Sequence, residues 1–175
     1  MLRNTLLAAV LAVSTLFSSI AFAGDVTDSG VLVAPRLVKD TEFWKFRTRI
    51  MDGATEGTNF ADRYTVVTWG CGTECQTGVA IDRVTGKLIW LPTAAYGYNF
   101  DRDSRLLVVN PNAREDYLRV SDLTGTGKLP DWLFREMYTL KNGHFVQVGR
   151  DKMEPGSPTL DEAFAHYYII PVNAD

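Results

Sequence analysis

The two cysteines of the chain, Cys71 and Cys75, have the clearest potential for chemistry. In an exported protein, two cysteines this close together are normally oxidised to a disulfide. A redox-active pair needs a lowered thiol pKa, which cations or a helix N-terminus supply, whereas the charged residue between these cysteines is Glu74. The pattern therefore predicts a structural Cys71–Cys75 disulfide. A thiol oxidoreductase that uses this pair is an alternative.

Few other residues carry recognisable chemistry. The thiols and imidazoles that zinc prefers are limited to Cys71, Cys75, His144 and His166. Their spacing matches no zinc motif, and oxidation would remove two of the ligands. Asp101 and Asp103 lack the glycine and the distal glutamate of a calcium loop. We therefore predict no catalytic residue, no metal site and no cofactor. Carboxylates that pair only in space, as in a hydrolase of an envelope polymer, are the other alternative.

Aromatic residues offer a binding surface instead. Most of the four tryptophans and seven tyrosines are expected in the core. Tyr96 and Tyr98, however, lie on a glycine-containing loop after a predicted strand, and exposed loop aromatics are good binding anchors. The predicted binding loop combines this segment with the cysteine loop, and its residues are Trp69, Gly70, Gly72, Thr73, Glu74, Gln76, Tyr96 and Tyr98.

The N-terminal residues predict export. Residues 1–23 contain one basic residue, Arg3, then an uncharged apolar stretch and the ending Ala21-Phe22-Ala23. This is the pattern of a secretory signal peptide. A retained membrane anchor is the alternative, although the apolar run is only marginally long enough to cross a bilayer. We expect a periplasmic or secreted protein with no membrane insertion after signal cleavage.

Length and charge narrow the class of partner. Residues 24–175 are enough for one domain with its own core. The net charge is −3 for the whole chain and −4 once Arg3 is removed. This mild acidity argues against nucleic acid as a partner. The expected partner is an envelope or secreted protein, or a ligand from the same compartments.

Helical patterns lie near the two ends of the domain, which is expected to span residues 39–175 after a mobile lead at 24–38. Residues 39–57 read as one amphipathic helix with Phe43, Phe46 and Ile50 on its apolar face. The basic residues on the outer face would be Lys45, Arg47 and Arg49. A Thr159–Glu162 capping box predicts a short C-terminal helix. The final apolar run, 166–172, is a plausible edge strand.

Between the helices the apolar period changes to two. Turn signals separate short β-branched and aromatic runs, which are YTVVTW, TGVAIDR, KLIWL, RLLVVN, YLRVSD, FREMYTL and HFVQVG. Three turns are explicit: Val84-Thr85-Gly86, Asp101–Ser104 and Lys141-Asn142-Gly143. The fold class is therefore mainly β, an antiparallel meander that is blade-like or a sandwich, with one N-terminal amphipathic helix and a short C-terminal helix.

Two stretches resemble known families. Residues 80–90, AIDRVTGKLIW, are similar to the repeat of quinoprotein-type propellers. A propeller needs about four to eight blades of about 40 residues, so we interpret this likeness as a shared hairpin and predict no quinone. Residues 59–82, NFADRYTVVTWGCGTECQTGVAID, resemble small exported bacterial proteins that share Asn-Phe-Ala…Tyr…Trp-Gly-Cys-Gly-Thr-x-Cys-Gln. That resemblance implies export and architecture but no activity. Asp62-Arg63 stands where many of those proteins have Gly-His.

The sequence therefore favours a non-catalytic binding or interaction protein of the bacterial envelope. The hypothesis rests on the lack of a catalytic motif and on a disulfide-closed, glycine-rich loop beside aromatic residues.

Overall fold

Two antiparallel sheets dominate the computed structural model, which describes residues 31–112, Tyr117, 130–152 and 159–167. Sheet A contains β1 (Tyr64–Gly72), β2 (Cys75–Asp82) and β3 (Leu88–Trp90). Sheet B contains β4 (Tyr98–Asn99), β5 (Leu106–Val109), β6 (Arg135–Lys141) and β7 (His144–Asp151). Within each sheet, strands consecutive in the chain are neighbours. The predicted mainly β meander is confirmed, divided between two sheets.

The predicted turns connect these strands. The amide of Gly86 donates to the carbonyl of Asp82 at 2.7 Å and closes the β2–β3 turn. Between β6 and β7, Asn142 and Gly143 have φ values of +49° and +74°, as a two-residue hairpin turn requires. The amide of Ser104 donates to Asp101 at 3.3 Å between β4 and β5. Strand β4, the strand expected before the Asp101–Ser104 turn, is only two residues long.

One apolar cluster joins the two sheets, which favours the sandwich alternative over a single blade. Its buried members are Phe60, Val66, Ala80, Ile89, Leu91, Leu107 and Leu140. Strand β5 is buried at all four positions, because Leu107 faces this cluster while Leu106 and Val108 pack with Met137 and Leu160 on the other side. Burial on both faces explains why its sequence is continuously apolar.

The N-terminal helix covers the other face of sheet A. It is interrupted at Phe46, between α1 (Glu42–Lys45) and α2 (Arg47–Gly53), and a 3₁₀ turn follows at Ala54–Glu56. The apolar face is the predicted one, since Ile50 is fully buried and both phenylalanines pack on the sheet. Phe43 stacks on Trp90 and Phe46 on Trp69, with ring centroids 4.7 and 4.8 Å apart. The helix is thus interrupted at a residue whose ring packs on the sheet, and such tertiary contacts commonly override helix propensity.

The C-terminal helix, α3 (Leu160–Tyr167), is also present. Its capping box forms as predicted, since the Thr159 amide donates to the Glu162 carboxylate at 2.8 Å and the Glu162 amide donates to the Thr159 hydroxyl at 3.2 Å. No described helix is long and apolar enough to cross a membrane. The predicted signal peptide, residues 24–30 of the lead and nearly all of the run at 117–122 lie outside the described residues. The first two residues of the predicted final strand are helical, and the rest of it lies outside as well.

Candidate functional site

The β1–β2 hairpin ends in a stapled tip, defined as residues 70–76 closed by the Cys71–Cys75 disulfide. The two Cα atoms are 5.1 Å apart, and the predicted bond is formed. Strand pairing shifts by one residue between Gly70 and Gly72, and Glu74 turns the chain with a φ of +48°. Residues 70–74 are exposed. The disulfide therefore closes a short turn that has no core of its own.

The second predicted loop lies against this tip. The Tyr96 hydroxyl donates to the Glu74 carboxylate at 2.8 Å, and Gln76 exchanges two backbone hydrogen bonds with Ala94 at 2.7 and 2.9 Å. The Tyr98 hydroxyl lies 2.6 Å from the Pro92 carbonyl and 3.0 Å from the Gln76 carbonyl, and it shares its single proton between these two acceptors. Burial raises the pKa of Tyr98 well above its ordinary value, so this hydroxyl stays a structural donor.

Trp69 differs from the rest of the predicted loop because it lies in the core. It is 8% exposed and stacks on Phe46. Its neighbour two positions back, Val67, packs in the same cluster, as the period of a strand requires. Trp69 therefore packs in the core next to the tip. Its spacing of two residues from Val67 was the sequence signal that indicated this burial.

The other end of β2 is held by ion pairing. The side chain of Asp82 is 8% exposed. It accepts hydrogen bonds from Nε and Nη2 of Arg63 at 3.0 and 2.8 Å. It also accepts from the Val84 and Thr85 amides at 2.9 and 3.3 Å and from the Thr85 hydroxyl at 2.7 Å. Burial alone would raise the pKa of this carboxyl, but the hydrogen bonds from Arg63, Thr85 and Val84 outweigh it and hold the pKa well below its ordinary value. Asp82 is an ionised, fully engaged structural carboxylate.

A cleft of about 740 Å³ opens beside Asp82, and we call it the cationic cleft. Four basic side chains line it against that single carboxylate: Arg36, Arg63, Lys87 and Arg105. Arg36 and Lys87 are exposed and form no ion pair within the described part of the chain. Apolar residues line another part of the cleft: Val38, Phe43, Leu88, Ile89 and Leu140. This size and mixture are typical of ligand sites.

Two glycines lie close to the parts of the chain that carry the free cations, Arg36 and Lys87. The lead is held on the β2–β3 turn, since the Arg36 amide donates to Gly86 at 2.7 Å and the Val33 amide to Arg83 at 2.9 Å. Gly86 has a φ of +74°, and a Cβ there would lie 2.5 Å from the Ala34 carbonyl. A Cβ on Gly143 would lie 3.0 Å from the Lys87 Nζ, which is the end of a flexible side chain. The close approach therefore requires glycine at position 86, whereas at position 143 the φ of +74° is what favours glycine.

The cleft continues along β3 into a second cavity of about 470 Å³, which we call the aromatic groove. The two cavities share five lining residues: Phe43, Lys87, Leu88, Ile89 and Gly143. The groove adds Trp90, His144 and Phe145. Sequence reasoning missed both cavities, although a lysine at the start of a predicted strand was a weak signal for one wall.

The histidines and the Asp101 turn were the other candidates for chemistry. Among the described residues no group of three or more His, Cys, Asp or Glu could hold a metal ion. His144 is exposed at the start of β7, as expected for a hairpin residue, while the side chain of His166 lies outside the described set. Asp101 accepts from the Arg102 amide at 2.9 Å, and Arg102 pairs with Asp62 at 3.1 Å. That turn is a structural hairpin connection.

The Asn-Phe-Ala motif also serves architecture. The Asn59 amide group accepts from the Val66 N–H at 2.7 Å and donates to its carbonyl at 3.1 Å, and Phe60 is fully buried. Ala61 and Asp62 have φ values of +51° and +53°, in the left-handed region that residues other than glycine adopt less often. Comparison of the chain with protein-family models, curated proteins and solved structures finds no match.

Proposed function

We propose that the protein is an exported binding protein that holds an anionic ligand in the cationic cleft without chemically changing it. The observation that carries the proposal is the pair of free cations, Arg36 and Lys87, at the rim of a cavity with an apolar wall. The chain as a whole has a net charge of −3, so this basic cluster is a local exception. A ligand with a negative group and an apolar part would satisfy both sides of the cavity.

The cleft favours binding over hydrolysis. A general acid needs a pKa raised toward neutrality, usually by burial. The carboxylate that lines this cleft, Asp82, has a lowered pKa and all its hydrogen bonds go to structural partners. It is therefore poorly suited to proton transfer, which argues against the carboxylate hydrolase alternative at this site.

The geometry also argues against a thiol oxidoreductase acting in the cleft. Cys75 and Asp82 are the first and last residues of β2, so at about 3.3 Å for each step they are about 23 Å apart. The tip adds the carboxylate of Glu74 and no cation within residues 70–76, so nothing there stabilises a thiolate.

Export is part of the proposal and is tested first. The full chain is expressed in a bacterium with a periplasm, fractionated by osmotic shock and analysed by intact mass. We expect a periplasmic or secreted chain that begins at Gly24 and does not react with a thiol-alkylating reagent until it is reduced. An unprocessed chain that stays in the cytoplasm would overturn export.

Ligand binding is tested with 8-anilinonaphthalene-1-sulfonate, an aromatic anion whose fluorescence rises on binding. Removing two rim charges with Arg36→Ala and Lys87→Ala should weaken its affinity about tenfold. The matched control, Lys45→Ala with Arg49→Ala, removes the same charge from the exposed outer face of the helix and should leave the affinity unchanged. Equal affinities for all three proteins would overturn the assignment of the site.

A further inference from the structure

One edge of sheet A is open. Strand β3 is the last strand of that sheet. The Asp82 amide bonds to the Lys87 carbonyl, and the Leu91 amide bonds to the Gly78 carbonyl. In an antiparallel pair such bonds recur at alternate residues, so Ile89 bonds to β2 while the backbone groups of Leu88 and Trp90 point away from it. Within the described residues, these N–H and C=O groups have no hydrogen-bond partner.

This open edge faces the two cavities. Leu88 lines both the cationic cleft and the aromatic groove, and Trp90 lines the groove. The two positions are about 7 Å apart along the strand, since strand residues rise by about 3.3 Å each. Unpaired backbone groups beside a cavity are the requirement for strand addition, in which an extended peptide supplies the missing hydrogen bonds.

We propose that the ligand is an extended peptide that adds to β3 as a fourth strand of sheet A, antiparallel to it, with its C-terminal carboxylate in the cationic cleft. The inference rests on the proposed function and names the class of its ligand. Main-chain hydrogen bonds to Leu88 and Trp90 hold the peptide, while Arg36 and Lys87 receive the carboxylate.

The position of the cations at one end of β3 determines the direction in which the proposed peptide runs. Strand β3 runs from Lys87, at the cationic end, to Trp90, at the aromatic end. The C-terminus of an antiparallel peptide lies beside the start of β3, where the cations are. An apolar side chain further back along the peptide then reaches the rings of Phe43, Trp90 and Phe145. A parallel peptide would bring its amino terminus to the cations, which is unfavourable.

Four synthetic probes test the proposal by fluorescence anisotropy with the full mature chain. The reference is fluorescein-labelled Ser-Val-Thr-Phe-Thr-Val-Glu with a free C-terminus. The others are the Gln-amide form without C-terminal charges and the reference N-methylated at either of its two alternate sets of amides. We expect the reference to bind at least about tenfold more tightly than the amide form. N-methylation of one set should abolish binding, while methylation of the other set should be tolerated.

Amide hydrogen exchange locates the contact without any substitution. Saturation with the reference peptide should slow exchange at Leu88 and Trp90, while Ile89, already bonded to β2, should change little. Unchanged exchange at both open positions would overturn strand addition. Concentration-dependent dimers that protect the same amides without peptide would overturn it in favour of a second copy of the chain.

The two proposals fail differently. If neither N-methylation nor loss of the C-terminal charge changes the affinity of the peptides while the sulfonate probe still requires Arg36 and Lys87, the peptide inference is wrong and the anion-binding function stands. If the sulfonate probe also binds independently of these two residues, both proposals fail.

Discussion

The two ends of β2 are closed by different kinds of bond. At the stapled tip, a covalent bond joins Cys71 to Cys75 across a turn that is exposed from residue 70 to residue 74. At the other end, Asp82 closes the β2–β3 turn through hydrogen bonds and an ion pair with Arg63. The disulfide stabilises the tip by lowering the entropy of the unfolded chain, whereas the closure at Asp82 depends on buried polar contacts.

This difference separates stability from binding. The tip is locked on itself, and its polar side chains are used locally, as the Tyr96–Glu74 contact illustrates. At the ion-paired end, Arg63 satisfies Asp82, so the neighbouring Arg36 and Lys87 keep their charges available. We therefore expect substitutions at the tip to change stability with little effect on the cleft, and substitutions near Asp82 to change both.

The largest effect is expected from Asp82→Ala. The substitution leaves the Arg63 guanidinium, two backbone amides and the Thr85 hydroxyl without their acceptor, which should lower the free energy of unfolding by about 3 kcal/mol. Urea denaturation followed by circular dichroism measures the loss. The control Asp101→Ala, at an exposed hairpin turn, should cost less than about 0.5 kcal/mol. Equal losses in the two variants would remove the special role of Asp82.

Removing the staple should have the next largest effect. On the chain-entropy relation, closing so short a loop contributes about 2 kcal/mol, a fraction of the ~5–15 kcal/mol of a typical domain. The double variant Cys71→Ala with Cys75→Ala should therefore stay folded, with its urea midpoint lowered and its affinity for the sulfonate probe unchanged. A large loss of probe affinity would show that the two ends of β2 are coupled.

Gly86→Ala should weaken the cleft through its wall. An alanine with φ near +74° costs about 1–2 kcal/mol, and its Cβ would also collide with the Ala34 carbonyl and displace the segment that carries Arg36. Gly57→Ala is a matched control, because Gly57 has a φ of +82° and no atom within 4 Å of the added Cβ. Both variants should lose stability, but only Gly86→Ala should lose affinity for the probe. Equal probe affinities would contradict the close approach.

A smaller effect is expected from acid. Asp82 has a lowered pKa in the folded protein, so the unfolded chain binds this proton first as the pH falls. Its contribution is present above the ordinary carboxyl pKa of about 4 and is lost as the pH falls through the folded value. Between pH 5 and pH 2, wild type should lose about 1 kcal/mol more than Asp82→Asn. Parallel acid dependences, measured by urea denaturation at each pH, would contradict the lowered pKa.

Local features of this chain were predictable, and features that join distant segments were not. The disulfide, the Asn142-Gly143 turn and the Thr159–Glu162 cap each depend on residues a few positions apart. Phe46, where the helix is interrupted, stacks on Trp69, a contact that a helix pattern does not contain.

The candidate site shows the same difference between local features and features that join distant segments. The stapled tip and Tyr96 were expected to belong to one surface, and they do meet. The cationic cleft was missed because its cations, at positions 36, 63, 87 and 105, belong to four separate segments that the fold brings together. Charge spread in this way leaves no local signature.

The open edge of β3 also bears on solubility. An unpaired strand edge is a template for pairing with another chain, and proteins limit this hazard with short edge strands and with lysine. Strand β3 has three residues and directly follows Lys87, so it carries both of these protective features. Neutralising Lys87 would therefore remove a barrier to aggregation as well as the proposed ligand contact.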